Sequence, residues 1–373
     1  MIDCAEFSQA LQINGVNFFV GVPDSLLKDI CGYMSDSFVD NHIIAANEGN
    51  AVGIAAGYHL ATEGIPLVYL QNSGLGNTVN PLTSLMSEDV YQMPMVLLIG
   101  WRGQPGVKDE PQHVMQGRVT EKMLMALNVP YEILTADTES ISATVGRILG
   151  IAKQRSCPVA LLVTKGTFAP YAYQESLNCE GLTREQAVIG LANKITSSEA
   201  LIVSTTGKLS RELYEFRKQD CSGAVDFYNV GSMGHLSQIA LGLAKYTPSK
   251  NVYCFDGDGA ALMHMGGLAI AASARLSNYY YVMFNNAAHD SVGGQPTVGA
   301  DIDFQMIAKG CGFATVMRVS TEQELHEAAI KLPDLDAPVF LEIVIQKGAR
   351  KNLGRPTETP VENKKAFMEY VKK

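Results

Sequence analysis

Asn251-Val252-Tyr253-Cys254-Phe255 followed by Asp256-Gly257-Asp258-Gly259 reads as an apolar strand ending in an acidic, glycine-flanked turn. An apolar helical stretch from Ala260 to Ala274 and a second strand, Tyr280–Phe284, lead from it to Asn285-Asn286. Asp258 and Asn286 stand 28 positions apart, the length of one strand, turn, helix, strand unit. In a parallel sheet the carboxyl ends of neighbouring strands lie side by side, so two oxygen-bearing side chains there can share one small hard cation. Gly257 and Gly259 let backbone amides approach a phosphate at the same place. A divalent ion holding a diphosphate is therefore the first expectation. Asp258 and Asn286 are its ligands, with a third oxygen from the carbonyl of Ala288. Taken singly, an Asp after a strand and an Asn opening a loop are also common turn residues.

Strand-like runs alternate with helical patterns on both sides of this unit, which predicts parallel α/β layers. Before it the strands read Asn17–Val20, Ile43–Ala46, Leu67–Leu70, Met95–Ile99 and Val159–Val163, with helical stretches such as Ala51–Glu63 and Arg118–Leu127 between them. In the second half they read Ala200–Ser204, Val225–Tyr228, Val252–Phe255, Tyr280–Phe284 and Val339–Val344. About five strands per half suffice for two doubly wound parallel sheets. The expected organisation is a first domain over 1–170, a linker over 171–184 and a second domain over 185–373. Thr183-Arg184-Glu185-Gln186 is a capping-box start for the first helix of the second half.

The 373 residues carry a net charge of −9, which argues against a general nucleic-acid binder. The last 24 residues run the other way, with seven Lys or Arg against three Glu. Seven scattered cysteines without a C-x-x-C pair suit reduced thiols in a cytoplasm better than a disulfide framework. The seven histidines show no zinc spacing. No apolar run reaches membrane-spanning length, and the start lacks a signal-peptide pattern, so no membrane partner is expected.

Three further stretches carry candidate chemistry. Glu48 follows a strand and opens the helix Gly49-Asn50-Ala51-Val52-Gly53-Ile54-Ala55-Ala56-Gly57. A carboxylate at a helix N-terminus is an ordinary dipole partner. A helix so poor in charge packs closely, however, and a buried carboxylate can hold a shared proton. Tyr228-Asn229-Val230-Gly231-Ser232-Met233-Gly234-His235 ends a strand in a glycine loop around one bulky flexible side chain, or is simply a turn with a core Met. Gly100-Trp101-Arg102-Gly103-Gln104-Pro105-Gly106-Val107-Lys108-Asp109-Glu110-Pro111-Gln112-His113 is a long polar loop after an apolar strand, where an α/β ligand site is expected. It reads equally as a solvated surface loop.

Together, Gly257-Asp258-Gly259, Asn285-Asn286, Glu48 and Gly231-Ser232-Met233-Gly234 resemble the thiamine diphosphate enzymes, specifically the two-domain 2-oxo acid decarboxylases. Gly21-Val22-Pro23-Asp24-Ser25, Lys108–His113, Val230–His235, His289–Thr297 and Leu353-Gly354-Arg355-Pro356 are most similar to the group that acts on phosphonopyruvate. The resemblance runs nearly end to end. It implies a pyrimidine-binding domain and a diphosphate-binding domain of thiamine diphosphate type, without a middle domain. It also implies thiamine diphosphate and Mg²⁺ as cofactors, and a homo-oligomer with the cofactor between subunits. The reaction implied is decarboxylation of a small 2-oxo acid, 3-phosphonopyruvate, through a thiamine diphosphate enamine to phosphonoacetaldehyde and CO₂ in phosphonate biosynthesis. Ala287 departs from the pattern, which has a glycine after the paired asparagines.

By motif position the resemblance gives Glu48 the cofactor's pyrimidine ring. Gly76 and Asn77 lie near it. Met233 and the Gly231 carbonyl hold the bent cofactor, and Thr206, Gly207, Gly257, Gly259 and Ala260 cradle the diphosphate. Asp24, Gln112 and His113 relay protons. Ser25, Arg102, Lys108, Arg118 and Arg355, with Arg350 and Lys351, are candidates for the second anionic group of the substrate. The alternatives are sulfopyruvate as substrate, a carboligase, and, from another class, a non-catalytic nucleotide-binding or scaffold protein. The chain has neither G-x-G-x-x-G nor G-x-x-x-x-G-K-[ST] to support a nucleotide site.

Overall fold

Long apolar runs such as Met95-Val96-Leu97-Leu98-Ile99-Gly100 are buried along their whole length, because both faces of a parallel sheet are covered by helices. The computed structural model describes residues 1–173, 181–195, 199–220 and 222–373. It divides into two units, Met1–Glu175 and Ser176–Lys373. Of the expected linker 171–184, residues 174–180 lie outside the described residues.

Among the described residues each unit holds six strands, one more than the sequence pattern suggests. In the first unit they are β1 (Phe19–Gly21), β2 (His42–Ile44), β3 (Leu67–Gln71), β4 (Met95–Gly100), β5 (Tyr131–Leu134) and β6 (Pro158–Val163). In the second they are β7 (Ala200–Ser204), β8 (Phe227–Tyr228), β9 (Asn251–Gly257), β10 (Tyr279–Asn285), β11 (Thr315–Val319) and β12 (Val339–Val344). The two strands absent from the sequence reading, β5 and β11, are both sheet edges. Both mix polar with apolar residues and are only partly buried, so neither shows the apolar run of a central strand.

The sheet orders are β2-β1-β3-β4-β6-β5 and β8-β7-β9-β10-β12-β11, and the pairings are parallel. Counted within each unit, both orders read 2-1-3-4-6-5, so the same topology occurs twice without an evident sequence repeat. Alternate residues feed opposite faces. Phe19, Leu67, Tyr69, Val96 and Leu98 enter one core of the first unit, while Val20, Val68, Leu70, Leu97 and Ile99 enter the other. The second unit repeats this, with Ile202, Phe255, Val282 and Leu341 on one side and Val203, Cys254, Tyr281 and Phe340 on the other.

In such a sheet the chain leaves the first strand in one direction and returns in the other, which opens a crevice at the carboxyl ends of strands one and three. In the first unit these ends lead into Val22-Pro23-Asp24-Ser25 and Asn72-Ser73-Gly74. In the second they lead into Thr205-Thr206-Gly207 and Asp258-Gly259. Gly257 pairs with Phe284, so Asp258 and Asn285 leave the second sheet side by side.

Three local expectations are corrected. The acidic turn has no spacer, because β9 runs into the helix Asp258–Met263 directly. The single helix expected over Ala260–Ala274 is two, broken at His264-Met265 before Gly266–Ser273. Adjacent Gly266 and Gly267 are poor helix formers, and Gly267 accepts the Gln238 amide at 2.9 Å where a side chain would collide with it. The loop after β4 ends at Glu110. Pro111, with its fixed φ, opens a helix over Pro111–Ala126, so Gln112 and His113 sit in a helical first turn.

Candidate active site

Asp258 opens its helix 2% exposed at the crevice of the second unit. Burial pushes its carboxyl up to about 6 against the pull of the Thr297 hydroxyl and the backbone N–H groups of Asp258, Gly259 and Asn286. Thr297 donates a short hydrogen bond to Oδ2. A side chain at Gly299 would crowd Asn285 Oδ1, Asp258 Oδ2 and Thr297 Oγ1 at 2.7, 2.8 and 2.9 Å, so three oxygens converge on a backbone that must be glycine. Asn286 Oδ1 accepts from the Ala288 N–H at 3.1 Å, and its Nδ2 donates to Asp290 Oδ2 at 2.8 Å. Ala288 bridges Pro296, but the bonds of that bridge use the carbonyls of Ala287 and Gln295, so the Ala288 carbonyl is not spent in it. Ala287 holds the left-handed φ of +53°, the conformation a glycine would take there.

The same crevice gathers the glycine loops. Gly207 has φ +100°, and a Cβ on it would meet Ser291 Oγ at 2.7 Å. A Cβ on Gly259 would lie 3.2 Å from the His289 ring and 3.4 Å from Met233 Cε. Gly234, φ +86°, packs on His264, Met263 and the Ala260 carbonyl. Burial holds the His289 imidazole down to about 4, so it is neutral at pH 7. The Thr206 hydroxyl donates to the Val230 carbonyl at 3.1 Å, tying the first strand's end to the Met233 loop.

In the first unit Glu48 is the first residue of the helix Glu48–Thr62, capped by Asn47, and is 5% exposed. Asn77 Nδ2 donates to its Oε2 at 2.7 Å. A side chain on Gly74 would overlap the Glu48 carboxyl, so this glycine exists to admit it. Gly76 is exposed beside this pair.

A second acidic centre of the first unit lies after β1. Asp24 is fully buried, and a Cβ on Gly100, the last residue of β4, would overlap its Oδ2. Desolvation pushes Asp24 up to about 6 although Arg102 and the N–H groups of Leu26, Leu27 and Ser25 pull it down. Among the described residues its Oδ1 has no hydrogen-bond partner, and neither has the buried Nδ1 of His113. Arg102 is gripped by both oxygens of Asp109, with Nε at 2.8 Å from Oδ2, and donates through Nη1 to Ser25 Oγ at 2.7 Å. Asp109 is held down to about 2, chiefly by that Arg102 bond. Burial, then Arg102, holds His113 down to about 4, hence neutral. Asp24, Ser25, Arg102 and His113 thus form one cluster, with Gln112 half-buried in the adjoining first helical turn.

The family descriptions "Thiamine pyrophosphate enzyme, N-terminal TPP binding domain" and "C-terminal TPP binding domain" match residues 5–124 and 205–343. The chain is 32% identical over its whole length to the phosphonopyruvate decarboxylases of Streptomyces viridochromogenes and Streptomyces hygroscopicus, covering 95% and 94% of those proteins. The chain belongs to the thiamine pyrophosphate enzyme family. It is also 26% identical to the sulfopyruvate decarboxylase of Methanosarcina acetivorans, over 97% of this chain and 96% of that one.

The family's cofactor, also called thiamine diphosphate, fits the residues present. Asp258 is a buried carboxylate with hydroxyl and amide donors and no cationic side chain among the groups that act on it, which suits a metal-bound diphosphate. Gly207 and Gly259 keep the backbone bare where Ser291, His289 and Met233 gather. Asn229 Nδ2 and His264 Nε2 are buried without hydrogen-bond partners among the described residues. Glu48 is a buried carboxyl, and a side chain at Gly74 would overlap it. Among the described residues no group of three or more His, Cys, Asp or Glu could hold a metal ion.

The other expected basic residues are exposed or already paired. Lys108 is exposed in its loop. Arg118 is exposed, its guanidinium against Met115 Sδ at 3.7 Å, off the helix stripe of Gly117, Thr120 and Leu124 that faces inward. Arg350 is taken up by Glu185 and Glu215. Arg355 and Lys351 are exposed in the second unit. Thr297, Gly299, Asp109 and Gly74 were given no role from the sequence. Thr297 and Gly299 lie in or beside His289–Thr297 and Asp109 lies in Lys108–His113, segments that carry the resemblance, which is the signal available for them.

Proposed function

We propose that the protein is a Mg²⁺- and thiamine diphosphate-dependent carboxy-lyase that converts 3-phosphonopyruvate to phosphonoacetaldehyde and CO₂. The observation that carries the reading is end-to-end similarity to two phosphonopyruvate decarboxylases, on a chain that buries Glu48 and Asp258 and hydrogen-bonds the Asn286 amide at both ends. Loss of CO₂ from a 2-oxo acid leaves a carbanion that no side chain can delocalise, and thiamine diphosphate, when bound, supplies that electron sink.

The chain's own residues do the rest. Asp258, Asn286 and the Ala288 carbonyl hold Mg²⁺, while Thr206, Gly207, Gly257, Gly259 and Ala260 line the diphosphate end. Gly231 and Met233 shape the loop against the cofactor's middle. Glu48, oriented by Asn77, would hydrogen-bond the pyrimidine ring of the bound cofactor. Asp24 and the neutral His113 hold and hand over a proton where the product carbon is protonated, with Gln112 beside them. Arg102, fixed by Asp109 and Ser25, presents its remaining N–H groups to the phosphonate. We read the working form as a cytoplasmic homo-oligomer, at least a dimer, with Lys108, Arg118 and Arg355 as lesser contributors to anion attraction.

The test is incubation with thiamine diphosphate, Mg²⁺ and phosphonopyruvate, sulfopyruvate or pyruvate, measuring CO₂ and aldehyde. Phosphonopyruvate should be turned over fastest, and faster turnover of sulfopyruvate would transfer the assignment to that acid. In the same assay Glu48→Gln should retain cofactor and lose about 10²–10⁴-fold in kcat. Arg102→Ala should lose phosphonopyruvate turnover selectively over pyruvate.

A further inference from the structure

One buried chain of charges reaches the candidate cation site and has no part in the chemistry above. Arg184, first residue of the helix Arg184–Ala192, has a side chain 7% exposed. Its Nε and Nη2 grip Glu212 Oε2 and Oε1 at 2.8 and 3.0 Å, and Glu212 is 1% exposed. Its Nη1 donates to Asp290 Oδ2 at 3.0 Å, and Nη2 also reaches the Gly348 carbonyl at 3.2 Å. The same Asp290 oxygen accepts from the Gly348 N–H at 3.0 Å and from Asn286 Nδ2 at 2.8 Å.

Two buried carboxylates share one guanidinium here. For stability alone a second buried carboxylate is a burden. What it does is orient an amide. With Nδ2 on Asp290 and Oδ1 accepting the Ala288 N–H, the Asn286 side chain has one favourable orientation. Turned over, its oxygen would face a carboxylate and its NH₂ would face an N–H. The oxygen keeps a second lone pair for a ligand.

We propose that Asp290, held by Arg184 and Glu212, is a positioning residue that locks Asn286 with its oxygen as the coordinating end of the Mg²⁺ site. The inference rests on the reading of Asp258 and Asn286 as Mg²⁺–diphosphate ligands. Residues that orient metal ligands in this way commonly change metal affinity about 10–100-fold when removed.

The test is calorimetric titration of Mg²⁺ at fixed thiamine diphosphate into wild type, Asp290→Ala and Asp290→Asn, beside kcat measured across Mg²⁺ concentrations. Asp290→Ala should bind Mg²⁺ about 10–100-fold more weakly, with much of kcat restored at saturating Mg²⁺. Asp290→Asn, which keeps an acceptor oxygen and loses the charge, should fall between it and wild type. It carries the test alone if the alanine variant does not fold. Unchanged Mg²⁺ affinity in the folded variants overturns this inference and leaves the proposed function standing. A wild type that takes up no thiamine diphosphate with Mg²⁺ overturns both.

Discussion

Asp24 and Asp258 are both buried carboxylates at strand carboxyl ends, and burial pushes both up to about 6, yet their neighbours differ in kind. Asp24 lies close to a guanidinium and shares its cluster with a neutral His113, and among the described residues Asp24 Oδ1 and His113 Nδ1 are both unpartnered. Asp258 is ringed by neutral donors, three backbone N–H groups and the Thr297 hydroxyl. The same sheet order carries a carboxylate into each crevice. What stands beside it is what separates the role proposed for Asp24, proton exchange, from that proposed for Asp258, cation binding. Asp24 has acid–base neighbours and Asp258 has oxygens, glycines and amides.

The comparison breaks most visibly if both aspartates respond alike to ligand. Thiamine diphosphate and Mg²⁺ at 100-fold over their dissociation constants should stabilise wild type by about 2.7 kcal/mol in thermal unfolding. Asp258→Ala should show no such rise and no measurable turnover. Asp24→Asn should keep the rise and still lose about 10²-fold or more in kcat. Loss of the ligand-induced rise in the Asp24 variant as well would remove the distinction.

The next effect is on the apoprotein. Asp24 has a folded value of about 6 against an ordinary 3.8. Its contribution to stability is therefore full below pH 4 and is lost as pH rises through 6, at a cost of about 3 kcal/mol for the buried charge. Asp24→Asn should melt higher than wild type at pH 7.5 and level with it near pH 4. Equal melting at pH 7.5 would mean that Arg102 compensates the carboxylate fully.

The smallest effect sharpens the cation side. Ala287 holds φ +53°, where an L-residue costs about 1–2 kcal/mol relative to glycine before the entropy of a glycine is counted. Ala287→Gly should stabilise the protein by up to about 1 kcal/mol and leave Mg²⁺ affinity unchanged. A destabilised variant would show that the alanine methyl packs.

Much of the site could be read from the chain because it is built from local units. Glu48 at a helix start and Asp258 with Asn286 across one β-α-β unit follow from spacing and residue type, as does the Thr183 capping box. The edge strands β5 and β11 escaped because partly exposed strands need no apolar run. Gln112 and His113 were misplaced in a loop because a helix that starts at a proline looks like a turn until its hydrogen bonds are seen. The partners of the functional groups were also out of reach. Ser25 meets Arg102 across 77 positions and Thr297 meets Asp258 across 39, and only the sheet order brings them together.

By itself the sequence determined two doubly wound sheets, the family, and the residue types proposed here to meet a diphosphate, a metal and a shared proton. Those properties reside in hydrophobic period, glycine spacing and side-chain chemistry, which are local. The tertiary structure alone decided which of the many charges are committed. It gave Arg102 to Asp109 and Ser25, Arg350 to Glu185 and Glu215, and Asn286 to an amide orientation set by Asp290. Burial and long-range hydrogen bonding fix such commitments, and both exist only once strands distant in sequence stand side by side.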